Sequence, residues 1–306
     1  MYNITQKVPD GKSMEKKRKK QSEKSYPCAL TISGSDSAGT SGIQADLRTF
    51  NAFGVFGCSA VTAVISQNPT SVKRNDPVAA GTVASQIEAV LEAVEVDYVK
   101  TGITGSAASV EVIARAVEKY KLPLVCDPAM ISDNGARLLA DDAVTALSER
   151  LMPLARWITP NIPEAELLLG YSIGSMDDQL RAARELNLRF GAAVWLKGGH
   201  LTDAVGKGKL PRVTDVICRE GRLWKLSSFK VDVPDSTAHG IGCTLSAAFT
   251  AANSLEMHWK EAICESRAFV MGSLIENIRV GRNLNAMYPP GNDYMTSVQL
   301  EETEVK

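Results

Sequence analysis

The stretch Ala29-Leu-Thr-Ile-Ser-Gly-Ser-Asp-Ser-Ala-Gly-Thr-Ser-Gly-Ile-Gln-Ala-Asp-Leu47 decides the fold. Its first five residues suit a buried strand that stops at Gly34, and Ile43, Leu47 and Phe50 then recur at helical spacing. Between them lies a turn of glycines and small hydroxyl residues, Gly34 to Gly42. Such a backbone either wraps closely round a small ligand or makes a tight strand-to-helix reversal. No Gly-x-x-x-x-Gly-Lys-Ser/Thr pattern occurs anywhere, so this is not a Walker-type phosphate loop.

The same unit repeats along the chain. Short β-rich runs at 59–65, 98–101, 122–126, 156–159 and 193–196 alternate with helical patterns at 83–94, 110–117, 144–151, 165–169 and 180–190. Repeated β-α units predict a mostly parallel sheet with helices on both faces. Residues 213–218 and 222–229, joined by Arg219-Glu-Gly221, read instead as an antiparallel pair at an edge. Two long helical patterns, 242–253 and 259–278, follow. No linker interrupts residues 28–284, which predicts one domain between a basic tail, 1–27, and a polar tail, 285–306.

Charge narrows the function. Thirty-four Lys and Arg against 35 Asp and Glu give a net charge of -1, which excludes a bulk electrostatic partner such as duplex DNA. The surplus is local: residues 1–27 hold eight basic and three acidic side chains, so the remainder is mildly acidic. Lys16-Lys-Arg-Lys-Lys20 suits a solvated, disordered extension, or else a nuclear address or an anion-docking tail. No apolar run follows these charges, so a secretory signal is not expected, and the longest charge-free run, 49–72, is too polar for a membrane span. Six dispersed cysteines form no metal-binding or disulfide pattern and point to a reducing compartment, expected to be the cytoplasm.

In such sheets ligands gather outside the carboxyl ends of the strands, and those positions carry the chemistry here. Gln67-Asn68 offers a carboxamide suited to the edge of a nitrogen heterocycle, or a capped turn. Thr159-Pro-Asn-Ile-Pro-Glu164 opens a helix; Asn161 and Glu164 suit either a hydrated Mg²⁺ or simple capping. Lys197-Gly-Gly-His200 presents a lysine beside open backbone, suited to a nucleotide phosphate, and the loop 201–213 is long enough to close over one. Ala238-His-Gly-Ile-Gly-Cys-Thr-Leu-Ser-Ala-Ala248 feeds a glycine turn into a small-residue helix with Cys243 in its first turn. Free N–H groups there stabilise an anion, and the helix field is expected to lower the Cys243 pKa; the alternative is a small buried core cysteine.

Together these segments resemble the ribokinase-like small-molecule kinases, and more narrowly the hydroxymethylpyrimidine/phosphomethylpyrimidine kinases of thiamin biosynthesis. The resemblance rests on 29–36, 42–47, 159–165, 197–200 and 239–247, and covers roughly residues 28–280. It implies a three-layer α/β/α fold and ATP- and Mg²⁺-dependent phosphorylation of 4-amino-5-hydroxymethyl-2-methylpyrimidine, then of its monophosphate. It also implies roles: Cys243 as base, the N–H groups of Gly240 to Cys243, including Gly242, as anion hole, Asn161 and Glu164 at Mg²⁺, and Lys197 at nucleotide phosphates. Gln67, Gly34 and Asp46 would line the pyrimidine pocket, and homodimers are common in the family.

Four segments depart from the family pattern. Ile241 replaces the threonine of Gly-Thr-Gly-Cys, and Thr237-Ala-His239 replaces Asn-Thr-His. Ile103 replaces the methionine of Lys-Ile-Gly-Met, and Asp133 stands where a lysine is expected. Two other expectations follow from these: a pyridoxine or pyridoxal kinase, whose substrate also bears a hydroxymethyl group, or a non-catalytic pyrimidine-binding relative.

Overall fold

The computed structural model describes residues 26–131, 137–199, 211–281 and 284–304. The first half of the chain runs β1 (Cys28–Asp36), α1 (Gly42–Ala52), β2 (Phe56–Asn68), β3 (Ser71–Pro77), α2 (Ala80–Ala93), β4 (Tyr98–Thr101), α3 (Ala107–Tyr120) and β5 (Leu124–Cys126). There follow α4 (Asp141–Ala146), β6 (Trp157–Ile158), α5 (Ile162–Leu169), α6 (Met176–Phe190), β7 (Ala193–Leu196), β8 (Arg212–Arg219) and β9 (Arg222–Phe229). The chain closes with α7 (Asp235–Ala238), α8 (Ile241–Ser254), α9 (Trp259–Ile275), β10 (Ile278–Arg279), β11 (Asn285–Ala286) and β12 (Gln299–Thr303).

Ten strands form one sheet in the order β12-β9-β8-β7-β6-β5-β4-β1-β2-β3. From β2 through β7 every pairing is parallel, and β3, β8, β9 and β12 pair antiparallel at the two flanks. The three-layer, mostly parallel α/β/α architecture is therefore the one expected. Two strands were not. β3 forms a hairpin with β2, invisible to hydrophobic patterning because nearly all its residues are exposed. Part of the supposed polar tail, β12, pairs with β9 as an edge strand, where polar residues are the normal composition.

Alternation along the strands sorts side chains between two layers. Leu30, Ile32, Val99, Leu124 and Cys126 face α2 to α6, packing with Val83, Ile87, Val110, Ile113, Leu168 and Leu180. The residues between them face α1, α8 and α9, where Val125 packs with Phe249 and Ala29 with Phe50 and Ala247. Lys100 falls on this second face, opposite α1. The chain leaves β1 for β2 on one side and returns to β4 on the other, so β1 and β4 flank the topological switch point. No helix among the described residues is long and apolar enough to cross a membrane.

Candidate active site

The glycine-rich loop after β1 is organised by the carboxylate of Asp36. Its Oδ2 accepts the N–H groups of Thr40 (3.0 Å) and Ser41 (2.9 Å) and both hydroxyls, while Oδ1 accepts Ala38 N–H at 2.9 Å. The loop is fixed, and it packs backbone to backbone against the start of α8. A methyl group on Gly240 (φ +88°) would lie 2.0 Å from the Thr40 carbonyl oxygen, so only glycine permits that approach. Gly42 makes the corresponding contact with Gly34, where an added carbon would sit 2.3 Å from the carbonyl oxygen.

Gly240 caps α8 in a left-handed conformation, and no side chain caps the helix, so its first N–H groups have no capping partner. Ile241 turns its side chain toward the apolar cluster of Trp157, Phe249 and their neighbours. Cys243 is half-buried, and its sulfur accepts the Gly42 N–H. The expectation of a lowered thiol pKa is not met. Burial, with Asp46 and Asp127 nearby, pushes it from 9.0 up to about 11 despite the opposing influence of Lys100. Desolvation outweighs the helix end here.

Lys197 stands at the end of β7 with its ammonium close to this helix start; a carbon added to Gly242 would meet Nζ at 3.3 Å. Nζ donates to Asp127 Oδ1 at 3.0 Å, and Asp127 Oδ2 accepts the Ser246 hydroxyl at 2.9 Å, tying the lysine to the first turns of α8. Burial opposes the Lys197 charge, but Asp127 and Glu164 raise its pKa. The loop beneath it is clamped by Asp215, which accepts Gly198 N–H at 2.8 Å and the Trp195 indole at 2.9 Å.

Asn161 and Glu164 form a capping box. Asn161 Oδ1 accepts Glu164 N–H at 2.8 Å, and Glu164 Oε2 accepts Asn161 N–H at 2.9 Å. Glu164 Oε1 accepts Met130 N–H at 2.9 Å. Burial raises this carboxyl from 4.5 to about 7, against the pull of Lys197. Among the described residues no three His, Cys, Asp or Glu side chains converge as metal ligands. These groups therefore suit Mg²⁺ held through its water shell, with phosphate oxygens as direct ligands, and do not suit an all-protein cage.

The expected pocket residues separate. Gln67 lies at the end of β2 against the first loop, its Nε2 donating to Ser41 Oγ at 3.0 Å. Its neighbour Asn68 caps the turn, accepting Thr70 and Ser71 N–H at 3.0 Å. Gly34 faces Ile65 and Ile103. Asp46 does not line a pocket: it has no exposed surface, and its two oxygens accept Lys100 Nζ and Thr31 Oγ1, each at 2.6 Å. Lys100 and Asp127, absent from the residues expected at the site, obey the same strand-end rule that exposed Lys197. The basic tail, Asp133, His200 and the loop to residue 210 lie outside the described residues. A hollow of about 380 Å³ at the opposite end of β1 and β2, lined by Tyr26, Cys28, Phe56 and Glu95, holds none of these groups.

A family model described as phosphomethylpyrimidine kinase matches residues 36–288. The chain belongs to that family. It is 38% identical over 255 residues to a hydroxymethylpyrimidine/phosphomethylpyrimidine kinase of Bacillus subtilis, covering 83% of this chain and 91% of the relative. The crystal structure of phosphomethylpyrimidine kinase from Clostridium difficile is 37% identical with a TM-score of 0.68, covering 80% of this chain and 97% of that one. Pyridoxal kinase from Staphylococcus aureus, in complex with pyridoxal, is 25% identical with a TM-score of 0.79, covering 92% and 100%.

Proposed function

We propose that this member of the family transfers the γ-phosphoryl group of ATP to the hydroxymethyl group of 4-amino-5-hydroxymethyl-2-methylpyrimidine, and then to the resulting monophosphate, in thiamin biosynthesis. The carrying observation is the meeting of Cys243 Sγ, the uncapped start of α8 and the Lys197 ammonium at the carboxyl edge of the sheet, beside its switch point.

Phosphoryl transfer asks a protein for alignment and charge neutralisation more than for covalent chemistry. The substrate oxygen bonds to the γ-phosphorus as the bond to the ADP oxygen breaks, and the hydroxyl proton passes to Cys243 Sγ. N–H groups from Gly240 to Cys243 hold the moving phosphoryl oxygens, and Lys197 holds the nucleotide phosphates. Ile241 packs inward, so this departure removes a hydroxyl contact and leaves the backbone donors in place. Bound Mg²⁺ supplies neutralisation of phosphate charge; Asn161 and Glu164 would orient its waters. Gln67, whose Nε2 donates to Ser41 Oγ beside the first loop, would present its carboxamide to the ring. The six free cysteines underlie placement in a reducing, cytoplasmic setting.

The test is mass detection of products from purified protein, Mg-ATP and the pyrimidine, with pyridoxal alongside. Both mono- and diphosphate are expected. Faster phosphorylation of pyridoxal would favour the second reading, the activity named for the pyridoxal kinase neighbour.

A further inference from the structure

We infer that Asp215, sealed in the core beside Arg267, is a positioning residue for Lys197: it fixes the backbone from which the lysine reaches the nucleotide phosphates. The inference rests on the reading of Lys197 as the phosphate-binding cation.

A lysine is a point charge on a long, flexible stem, so its use to a phosphate depends on how its root is held. Two peptide groups flank the Lys197 Cα. The N–H of the first, that of Lys197 itself, donates to the Pro160 carbonyl oxygen at 2.9 Å. The N–H of the second belongs to Gly198 and donates to Asp215 Oδ1 at 2.8 Å. Asp215 Oδ2 accepts the Trp195 indole N–H at 2.9 Å, so one carboxylate grips the chain on both sides of the lysine. The tip is held separately, by Asp127. An arriving phosphate competes with Asp127 for the ammonium. The hold on the root lies out of its reach, because Asp215 has no exposed surface and Gly198 is buried.

The turn has no slack. A carbon added to Gly198 would lie 1.8 Å from the Thr214 carbonyl oxygen and 2.7 Å from Gln179 Nε2. Gln179, equally sealed, donates to the Leu196 and Thr214 carbonyls at 3.2 and 3.4 Å. A neutral carboxamide therefore serves the neighbouring peptides, and a neutral acceptor would also satisfy the Gly198 N–H. Asp215 instead carries a charge, which calls for a counter-ion. Arg267 on α9 supplies it, with Nη1 3.6 Å from Oδ2 and Nε donating to Ser228 Oγ at 2.9 Å. A buried ion pair seldom stabilises a fold more than apolar packing of the same volume. What the charge adds is a stronger hydrogen bond at one amide, the one that follows Lys197. Stiffness there aims the lysine.

The test is binding of Mg-ATP to the full-length protein by equilibrium dialysis, without the pyrimidine, and pyrimidine binding by calorimetry alongside. Asp215→Asn should weaken Mg-ATP binding about tenfold, the scale of one charge-assisted hydrogen bond, and leave pyrimidine affinity within about twofold. In a Lys197→Met background the same substitution should change Mg-ATP affinity by less than about twofold, because a root without its ammonium has nothing to aim.

A role in folding alone would weaken both ligands, or weaken Mg-ATP equally in the two backgrounds. Either result overturns the inference, as does an unchanged Mg-ATP affinity in Asp215→Asn. If Asp215→Asn does not fold, the electroneutral Asp215→Asn/Arg267→Met replaces it, with the same expected changes and the same overturning results. Wild-type protein that binds no Mg-ATP overturns the nucleotide reading of Lys197 and the inference with it, whereas wild-type binding with no loss in the variant overturns the inference alone.

Discussion

Lys100 and Lys197 both stand at the carboxyl end of a parallel strand, and both pair with a buried aspartate. Lys100 and Asp46 lie 2.6 Å apart with 0% of either side chain exposed. Lys197 and Asp127 lie 3.0 Å apart, with 12% and 4% exposed. That sliver of access separates their uses. An ion pair open at one end can exchange its aspartate for an incoming phosphate, whereas a sealed pair acts only on what is packed against it. The same two residue types, at equivalent strand ends, thus differ in whether a ligand can reach them.

The sharpest way to break the contrast is to remove the common floor of both sites. Gly240→Ala would place a methyl 2.0 Å from the Thr40 carbonyl oxygen at φ +88°, where an L side chain is strained. We expect kcat/KM to fall by more than about a hundredfold, since displacement of roughly 1 Å at a reacting centre costs that much. Steady-state kinetics on the folded variant checks this.

Lys197→Met should lower kcat/KM for ATP by about a hundredfold, mostly through KM, because a positive point charge for phosphate is lost and Asp127 is left without its cation. Lys100→Met should leave KM for ATP within about threefold. A matching rise in KM for both variants would erase the distinction between open and sealed.

Glu164 gives a pH test on the open side. Its folded pKa of about 7 lies above the ordinary 4.5, so between those values the folded state binds more protons than the unfolded chain. Stability from this group is full below 4.5 and is lost as pH rises through about 7, by about 3 kcal/mol. Glu164→Gln should flatten that part of a plot of Tm against pH; an unchanged slope would remove Glu164 as its source. The smallest effect belongs to the exposed edge, where Arg222 pairs with Glu302 across β9 and β12. Arg222→Ala should cost less than about 1 kcal/mol in denaturant unfolding.

Much of this was legible in sequence. Parallel strands buried on both faces read as continuous apolar runs, so β1, β4 and β7 could be placed, and the strand-end rule led to Lys197 and the start of α8. Exposed strands carry no such signal: Lys73-Arg-Asn-Asp76 of β3 and Gln299-Leu-Glu-Glu302 of β12 look like loop until pairing is seen. Roles that depend on depth were equally hidden. Asp46 reads as a pocket carboxylate but lies sealed against Lys100. Cys243 reads as activated by its helix, yet burial wins because a half-buried sulfur faces two carboxylates as well as two cations. Asn161 and Glu164 read as metal or cap; the capping box is present, and its oxygens do not by themselves decide whether the pair also orients the waters of a metal.

The most direct test of the account is Cys243→Ala, assayed for turnover with Mg-ATP and, in parallel, for hydroxymethylpyrimidine binding by calorimetry. The account predicts that phosphorylation is abolished while pyrimidine affinity stays within about threefold, since the thiol acts on the proton and other groups hold the ring. Turnover retained at the wild-type rate would contradict it and remove Cys243 from the chemistry.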